Sequence, residues 1–350
     1  MSASSRETTP PVAPAPIALT MGEPAGIGGE IALAAWLRRV EAGLAPFFLI
    51  DDPDRLARLV ERLGWGVEIA PIEAPQAAVE TFPRALPVLP LAERCADAVP
   101  GRLDRAYAPA VVESIERAVG LAETGAAGAI VTNPIHKSAL YEAGFAHPGH
   151  TEFLAHLTGA ARPVMMLVAP GLRAVPVTIH QALADAIAGL STELIHETGR
   201  IVADALVRDF AIPTPRLAVA GLNPHAGEGG ALGHEEIEVI APAVERLRAE
   251  GIAVLGPLPA DTMFHAEARE GYDAALGMYH DQALIPVKTL DFHGGVNMTL
   301  GLPIVRTSPD HGTALSLAGT GTARPDSLIA ALRLAAEAAG NRARAAESVR

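Results

Sequence analysis

Three histidines stand where a short apolar segment gives way to turn residues. His180 follows VPVTI, His225 lies in GLNPHAGEGG, and His280 follows LGMY and precedes Asp281. Three imidazoles with an open fourth position are a normal arrangement for a catalytic divalent metal. One such histidine alone would more often be a hydrogen-bonded structural residue, and sequence cannot show that the three converge. The chain contains neither HExxH nor paired cysteines, which argues against zincin-type and structural zinc sites.

Two polar pairs each leave two interpretations open. Asp281, next to His280, either orients that imidazole or is an ordinary surface carboxylate. His150 and Thr151, in PGHTEF, either contact a polar substrate beside a helix N-terminus that favours anions, or Thr151 simply caps the following helix.

Three further polar residues occur in apolar surroundings. Lys288 lies in LIPVKTL, Asn297 in GGVNMTL and Arg306 in GLPIVRTS. A cation flanked by strand-forming residues needs an anionic partner, because burying it unpaired costs several kcal/mol. That partner is either an internal carboxylate or a ligand phosphate, for which arginine offers a planar fork and lysine a point charge.

The glycines do not form a standard nucleotide-binding motif. Neither GxGxxG in register after a strand nor a Walker A loop is present. His311-Gly312-Thr313 and Gly319-Thr320-Gly321 form a polar, glycine-rich pair of turns before a helix, which could approach an adenosine.

Short apolar runs alternate with amphipathic stretches, the pattern of βαβ units. The predicted strands are 17–21, 47–51, 127–132, 164–169, 174–179, 217–221 and 274–278, and the predicted helices are 30–42, 53–63, 108–123, 192–210, 235–250 and 325–339. Strands joined through helices give a mainly parallel sheet. Nearly every predicted strand ends in Gly, Pro, His, Asn or Asp, and ligands of open α/β sheets collect at the carboxyl ends of strands. Residues 71–100 predict an irregular connection.

Composition limits the classes of protein and of partner. A length of 350 residues favours two packed lobes. A net charge of −13 with no long basic run argues against nucleic acid. Cys95, the only cysteine, is predicted to be a packing residue and cannot form an intrachain disulfide. Residues 1–16 predict a disordered arm rather than a signal peptide, and no apolar run is long enough to span a membrane. A cytoplasmic enzyme is the simplest expectation.

Together the motifs resemble the 4-phosphohydroxy-L-threonine dehydrogenase family across about residues 16–340. They are MGEPAGIGGE, VTNPIHK, GHTEF, IHQAL, GLNPHAGEGG, MYHDQALIPVK, GVNMTLGLPIVRTSPDHGTAL and AGTG. The resemblance implies the fold of isocitrate and isopropylmalate dehydrogenases, with two α/β lobes and the active cleft between them. We expect the first lobe over 17–135 and 275–345, with the nucleotide loop. The second lobe, over 136–274, should carry the metal ligands and the dimer contact.

The resemblance also implies a role for each candidate residue. His180, His225 and His280 would hold one divalent ion (Zn, Mg, Co or Mn), and substrate would contact His150, Thr151, Lys288, Asn297 and Arg306. His311, Gly312, Thr313, Gly319 and Gly321 would form the NAD or NADP loop. The implied reaction oxidises the phosphorylated hydroxy-acid and then decarboxylates it to 3-amino-2-oxopropyl phosphate, in pyridoxal 5'-phosphate biosynthesis. The implied assembly is a homodimer with its active sites near the interface.

Several alternatives stay open. Between Leu315 and Ala318, where the family often has an acidic residue, this chain has Ser316-Leu317. This departure bears on the ribose contacts of the nucleotide and not on the class of enzyme. Relatives with the same motifs oxidise threonate or erythronate 4-phosphate, or aromatic cis-diol carboxylates. A metal hydrolase would also use three histidines and an anion pocket but not the nucleotide loop. A phosphotransacetylase-like acyltransferase would not need the histidines, and a non-catalytic binding module would leave every motif without a purpose.

Overall fold

One sheet of twelve strands runs through the part of the chain described by the computed structural model, residues 15–147 and 149–348. Its strands are β1 (Ile17–Thr20), β2 (Phe47–Asp51), β3 (Ile69–Pro71), β4 (Leu86–Pro90), β5 (Ala129–Val131), β6 (Val164–Ala169), β7 (Leu172–Pro176), β8 (Arg216–Ala220), β9 (Ala253–Leu258), β10 (Ala274–Gly277), β11 (Val296–Leu300) and β12 (Arg306–Pro309). Their order is β3-β4-β2-β1-β5-β12-β11-β6-β7-β10-β8-β9. The predicted arm falls mostly on residues 1–14, which lie outside the described residues.

The predicted α/β class with a mainly parallel sheet is confirmed. Among the described residues, eight of the eleven strand pairings are parallel. The three antiparallel pairings are β11 with β12, β11 with β6, and β6 with β7. The sheet therefore changes strand direction near its centre, with parallel strands on both sides. The division into two lobes stays a prediction; β10 and β11 lie beside strands of the second predicted lobe.

Helices connect and cover the strands. They are α1 (Gly28–Leu37), α2 (Pro53–Leu63), α3 (Ala77–Thr81), α4 (Ala108–Glu123), α5 (Lys137–Glu142), α6 (His150–Thr158), α7 (Leu183–Ala188), α8 (Thr192–Arg208), α9 (Ala241–Ala249), α10 (Ala266–Arg269), α11 (His280–Leu290) and α12 (Asp326–Ser348). Local chemistry explains the accuracy of the α2 prediction. Asp52 caps its first turn, Pro53 stands at the first helical position, and Gly64 ends it in the left-handed conformation.

Two predictions about local structure are wrong. The stretch 71–100 is not irregular, because it contains α3 and the buried strand β4. Its prolines hid the strand, but Pro87 precedes the pairing of β4 with β2 and Pro90 ends it, so neither interrupts the pairing with β2 from within. The LIPVKTL segment is not strand-like either: it belongs to α11, which contains Pro286.

Small side chains let the helices approach the sheet closely. Ala18, Ala32 and Ala35 are fully buried, and a Cβ on Gly199 of α8 would lie 2.6 Å from the Leu247 side chain of α9. Such short separations suit a core built from aliphatic residues. Among the described residues, no helix is both long and apolar enough to cross a membrane.

A buried carboxylate joins the end of α8 to the C-terminal helix. Asp209 Oδ1 accepts hydrogen bonds from Arg342 Nε at 2.6 Å and Arg208 Nε at 2.9 Å. Burial by itself would raise the pKa of Asp209, but the bonds from Arg342 and Arg208 outweigh it and lower that pKa. A lowered folded-state pKa means that the stabilisation is present above about pH 4 and is lost as the pH falls through the folded-state value.

Replacing this carboxylate should destabilise the protein at neutral pH. We expect Asp209→Ala to lower the free energy of unfolding by roughly 3 kcal/mol, the lower end for a buried pair, because both arginines can turn toward water. Urea unfolding at pH 7 and pH 3 measures this, and the difference from wild type should shrink at pH 3. Asp204→Ala, on the exposed face of α8, should change stability by no more than about 0.5 kcal/mol. Equal losses in the two variants would contradict the assignment.

Candidate active site

A cleft of about 650 Å³ opens beside the central strands β5, β12, β11 and β6. Eight predicted site residues line it: His150, Thr151, His180, His280, Asn297, Arg306, His311 and Gly312. The residues that sequence reasoning did not single out include Thr132, Lys137, Glu152, Ser308 and Asp310. Several of these lie inside motifs already quoted, VTNPIHK, GHTEF and SPDHGTAL. Their position in those motifs was the available signal.

Arg306 carries a buried positive charge beside this cleft. It begins β12 and is 3% exposed. Its guanidinium donates to the hydroxyls of Thr132 (2.6 and 3.1 Å) and Thr299 (2.8 Å). Within the described residues no carboxylate forms an ion pair with it, and burial lowers its pKa to about 10, with Glu152 acting weakly in the opposite direction. The side chain remains charged at neutral pH and has uncharged partners, so it can receive an anion.

His150 starts α6 next to this charge. Its Nε2 is buried and has no hydrogen-bond partner among the described residues. Burial, together with the charges of Arg306 and Lys137, lowers the pKa of His150 well below its usual range. Its imidazole is therefore neutral at physiological pH. Thr151 lies within the first turn of α6 while Gly149 occupies the cap position, so the alternative that Thr151 caps this helix is wrong.

His180 and His280 face each other across the cleft, with ring centroids 5.8 Å apart. His180 follows β7 with a left-handed φ of 51°, and His280 is the first residue of α11. Burial, Lys137 and His280 lower the pKa of His180, which favours the neutral form that ligates metals. Asp281 Oδ1 lies 2.7 Å from His280 Nδ1. That contact can fix the ring and leave Nε2 free.

His225 does not line the cleft. It lies after β8 in the turn Pro224–Gly230, where several residues have left-handed φ values. Its side chain is 69% exposed and its Nδ1 lies 3.3 Å from Glu228 Oε1. Within the described residues of a single chain, no group of three potential metal ligands converges. The buried carboxylate of Glu236 holds the start of this segment by accepting the N–H groups of Leu222 and Asn223 at 2.7 Å.

The two remaining predicted substrate residues differ in their surroundings. Asn297 lies on β11 and its buried Oδ1 has no partner among the described residues. Lys288 lies on α11 and has an internal carboxylate partner, because its Nζ is 2.5 Å from Asp310 Oδ2 and 3.1 Å from the Asp310 carbonyl oxygen. Asp310 itself lines the cleft. Lys288 is thus connected to the cleft through Asp310.

The predicted nucleotide loop follows β12. His311 and Gly312 line the cleft, and His311 Nδ1 donates to the Gly312 carbonyl at 3.0 Å. Thr313 is buried, and Gly319 and Gly321 adopt left-handed φ values of 71° and 76°. Only glycine adopts such values without strain, so these glycines are required by the backbone.

Comparisons with known proteins agree with the motifs. The family described as pyridoxal phosphate biosynthetic protein PdxA matches residues 44–335. A 4-hydroxythreonine-4-phosphate dehydrogenase from Bradyrhizobium diazoefficiens is 56% identical, over 93% of this chain and 97% of its own length.

Two solved structures are similar over nearly the whole chain. The crystal structure of 4-hydroxythreonine-4-phosphate dehydrogenase from Klebsiella pneumoniae has a TM-score of 0.84 and 39% identity, covering 93% of this chain and 99% of that one. A terephthalate 1,2-cis-dihydrodiol dehydrogenase from Burkholderia xenovorans has a TM-score of 0.64 and 30% identity, with coverages of 92% and 98%. The chain therefore belongs to the PdxA family of pyridoxal phosphate biosynthetic proteins.

Proposed function

We propose that this chain is a 4-hydroxythreonine-4-phosphate dehydrogenase. It oxidises 4-phosphohydroxy-L-threonine with NAD or NADP, and decarboxylation then gives 3-amino-2-oxopropyl phosphate and CO2. The observation that carries the proposal is the buried guanidinium of Arg306, which has hydroxyl partners and faces a cleft lined by imidazoles. An anionic substrate supplies the charge that Arg306 lacks.

Arg306 binds the phosphate in this proposal, and two neighbouring groups orient the rest of the substrate. The neutral imidazole of His150 has an unpartnered Nε2, and Asn297 has an unpartnered Oδ1. Both become satisfied when a polar substrate occupies the cleft, because a buried polar atom without a partner costs free energy. Thr151, in the first turn of α6, adds a hydroxyl beside the positive end of the helix dipole.

The histidines fit a divalent cation. His180 and His280 would hold it, with Asp281 orienting His280, and an imidazole binds Zn, Mg, Co or Mn through its neutral form. A cation held there would supply Lewis-acid chemistry, stabilising negative charge that develops on oxygen during oxidation and decarboxylation. The side chain of His225 is 69% exposed. This exposure supports a homodimer in which His225 of a second copy of the chain supplies the third imidazole to the metal.

The comparisons favour the phosphorylated substrate over an aromatic diol. The similarity to the Klebsiella dehydrogenase, at a TM-score of 0.84, exceeds that to the terephthalate diol dehydrogenase, at 0.64. The charge of Arg306 fits either a phosphate or a carboxylate. A comparison of kcat/KM on the phosphorylated substrates and on the aromatic diol therefore distinguishes the two activities.

Turnover by NADH formation tests the proposal directly. With NAD and a divalent metal present, we expect the highest kcat/KM on 4-phosphohydroxy-L-threonine, with one CO2 released for each NADH. Erythronate 4-phosphate, threonate 4-phosphate and the terephthalate diol serve as comparison substrates. Release of inorganic phosphate without NADH would favour a metal hydrolase, and a higher kcat/KM on another substrate would reassign the enzyme.

Removing the buried guanidinium should mainly affect phosphorylated substrates. Charge-assisted hydrogen bonds contribute about 1.5–3 kcal/mol each, so Arg306→Ala should lower kcat/KM roughly tenfold to a hundredfold. The loss should shrink sharply with the dephosphorylated substrate, and Arg306→Lys, which keeps a point charge, should lose less. Equal losses with and without the phosphate would identify Arg306 as a structural residue.

Loss of any one metal-binding histidine should abolish turnover while preserving the fold. We expect this for His180→Ala, His225→Ala and His280→Ala, together with reduced bound zinc measured by atomic absorption after dialysis. His293→Ala, an exposed imidazole outside the cleft, is the matched control and should behave as wild type. Wild-type activity in all three variants after exhaustive chelation would rule out the metal site.

The same variants report on the shared site. If His225 serves the opposite subunit, refolding His225→Ala together with His280→Ala creates mixed dimers with one intact site. Random mixing then restores about a quarter of wild-type activity, since half of the dimers are mixed. No recovery, or full activity from a monomer in light scattering, would place all ligands in one chain.

A further inference from the structure

A buried carboxylate on the first helix holds the second half of the nucleotide loop. Glu30 lies in the first turn of α1 and is fully buried. Its Oε2 accepts a hydrogen bond from the backbone N–H of Gly319 at 2.8 Å, and its Oε1 accepts one from Ala323 at 3.1 Å. In the sequence, Gly319 follows Glu30 by 289 residues and Ala323 follows it by 293 residues. The MGEPAGIGGE motif thereby acquires a structural role that its sequence did not reveal.

The segment before α1 also contacts the first half of the loop. Ile27 N–H donates to the Thr313 carbonyl oxygen at 3.0 Å. A Cβ on Gly26 would lie 3.0 Å from that same oxygen, so the two backbones leave little room for a side chain. On the opposite side, Arg62 Nε donates to the Gly319 carbonyl at 3.1 Å. The loop is therefore fixed by contacts from two separate elements.

Glu30 holds the backbone at both ends of the turn from Gly319 to Ala323, and the residues between them are exposed. Thr320, Gly321 and Thr322 are exposed, whereas Ala323 is buried. A cavity of about 300 Å³ lies beside the turn and is lined by residues that include Gly26, Arg62 and Pro100. A Cβ on Gly319 would come within 2.8 Å of the Pro100 ring. Rigid backbone next to an open cavity is the arrangement expected of a preorganised ligand site.

We propose that Glu30 is a positioning residue for the dinucleotide. Its carboxylate, together with Arg62, fixes the turn from Gly319 to Ala323 in the conformation that receives the adenosine half of the cofactor. This inference rests on the proposed dehydrogenase function. Burying a carboxylate costs several kcal/mol unless it is fully hydrogen bonded, and here both of its oxygens bond this turn.

Binding of NADH, followed by fluorescence titration, separates positioning from general stability. In Glu30→Gln the amide nitrogen faces a backbone N–H, so one hydrogen bond is replaced by repulsion. We expect the Kd for NADH to rise about tenfold or more, which corresponds to roughly 1.4 kcal/mol, and KM for NAD to rise with it. KM for the phosphorylated substrate should change by less than about twofold.

Glu113→Gln is the matched control. Glu113 also accepts two backbone N–H groups, from Ala92 and Glu93 at 2.9 Å each, but it holds a connection that does not line the cleft. Its Kd for NADH should equal that of wild type. Arg62→Ala, at an exposed position, gives a second variant that folds even if Glu30→Gln does not, and it should weaken NADH binding at least about threefold.

The outcomes are distinct. NADH binding as tight as wild type in both Glu30→Gln and Arg62→Ala overturns the inference, as does an equal loss of NADH and substrate binding. Failure of the wild-type protein to bind NADH overturns the proposed function and the inference with it. Selective weakening of NADH binding in the two variants, with Glu113→Gln unaffected, supports the assignment.

Discussion

The buried positive charge of Arg306 is the constraint around which the cleft is arranged. Its strand, β12, pairs in parallel with β5 and antiparallel with β11. Its hydroxyl partners follow from that position, because Thr132 comes directly after β5 and Thr299 lies opposite Arg306 on β11. A buried cation whose hydrogen-bond partners are all neutral is stabilised further when an anion binds beside it. The change of strand direction at the centre of the sheet thus creates the place where an anion is needed.

Burial and nearby positive charge also affect two imidazoles of the cleft. Burial lowers the pKa of both His150 and His180; Arg306 and Lys137 lower that of His150 further, and Lys137 and His280 lower that of His180 further. Neutral imidazoles can accept hydrogen bonds and ligate metals, whereas imidazolium ions cannot. The burial and positive charge that make the cleft suitable for an anion therefore also favour the neutral forms of His150 and His180. The proposed anion site and the proposed metal site are electrostatically compatible for this reason.

Buried or half-buried carboxylates connect distant parts of the chain. Glu30 joins α1 to the end of the predicted nucleotide loop, and Glu236 holds the segment before His225. Asp310 connects Lys288 of α11 to the beginning of the predicted nucleotide loop. Glu30 and Glu236 each accept several backbone N–H groups, so each holds a loop where secondary structure alone would leave the backbone unfixed. These contacts order loops that carry candidate site residues.

Sequence determined the elements with strong local chemistry, because capping residues and periodicity act over a few positions. The bounds of α2 and α4 and the strands β2 and β6 were predicted correctly, and His180 and His280 were located as polar residues that follow predicted strands. Tertiary structure decided the rest. It turned the proline-rich 71–100 stretch into a paired strand and placed Lys288 on a helix with Asp310. It brought His180 and His280 together while leaving His225 exposed. It also placed the Glu30 carboxylate against the backbone of Gly319, in the predicted nucleotide loop. Such contacts join residues up to 293 positions apart in the sequence. Which residues meet depends on the order of the strands in the sheet and on which group lies next to each buried charge. Local sequence encodes neither of these.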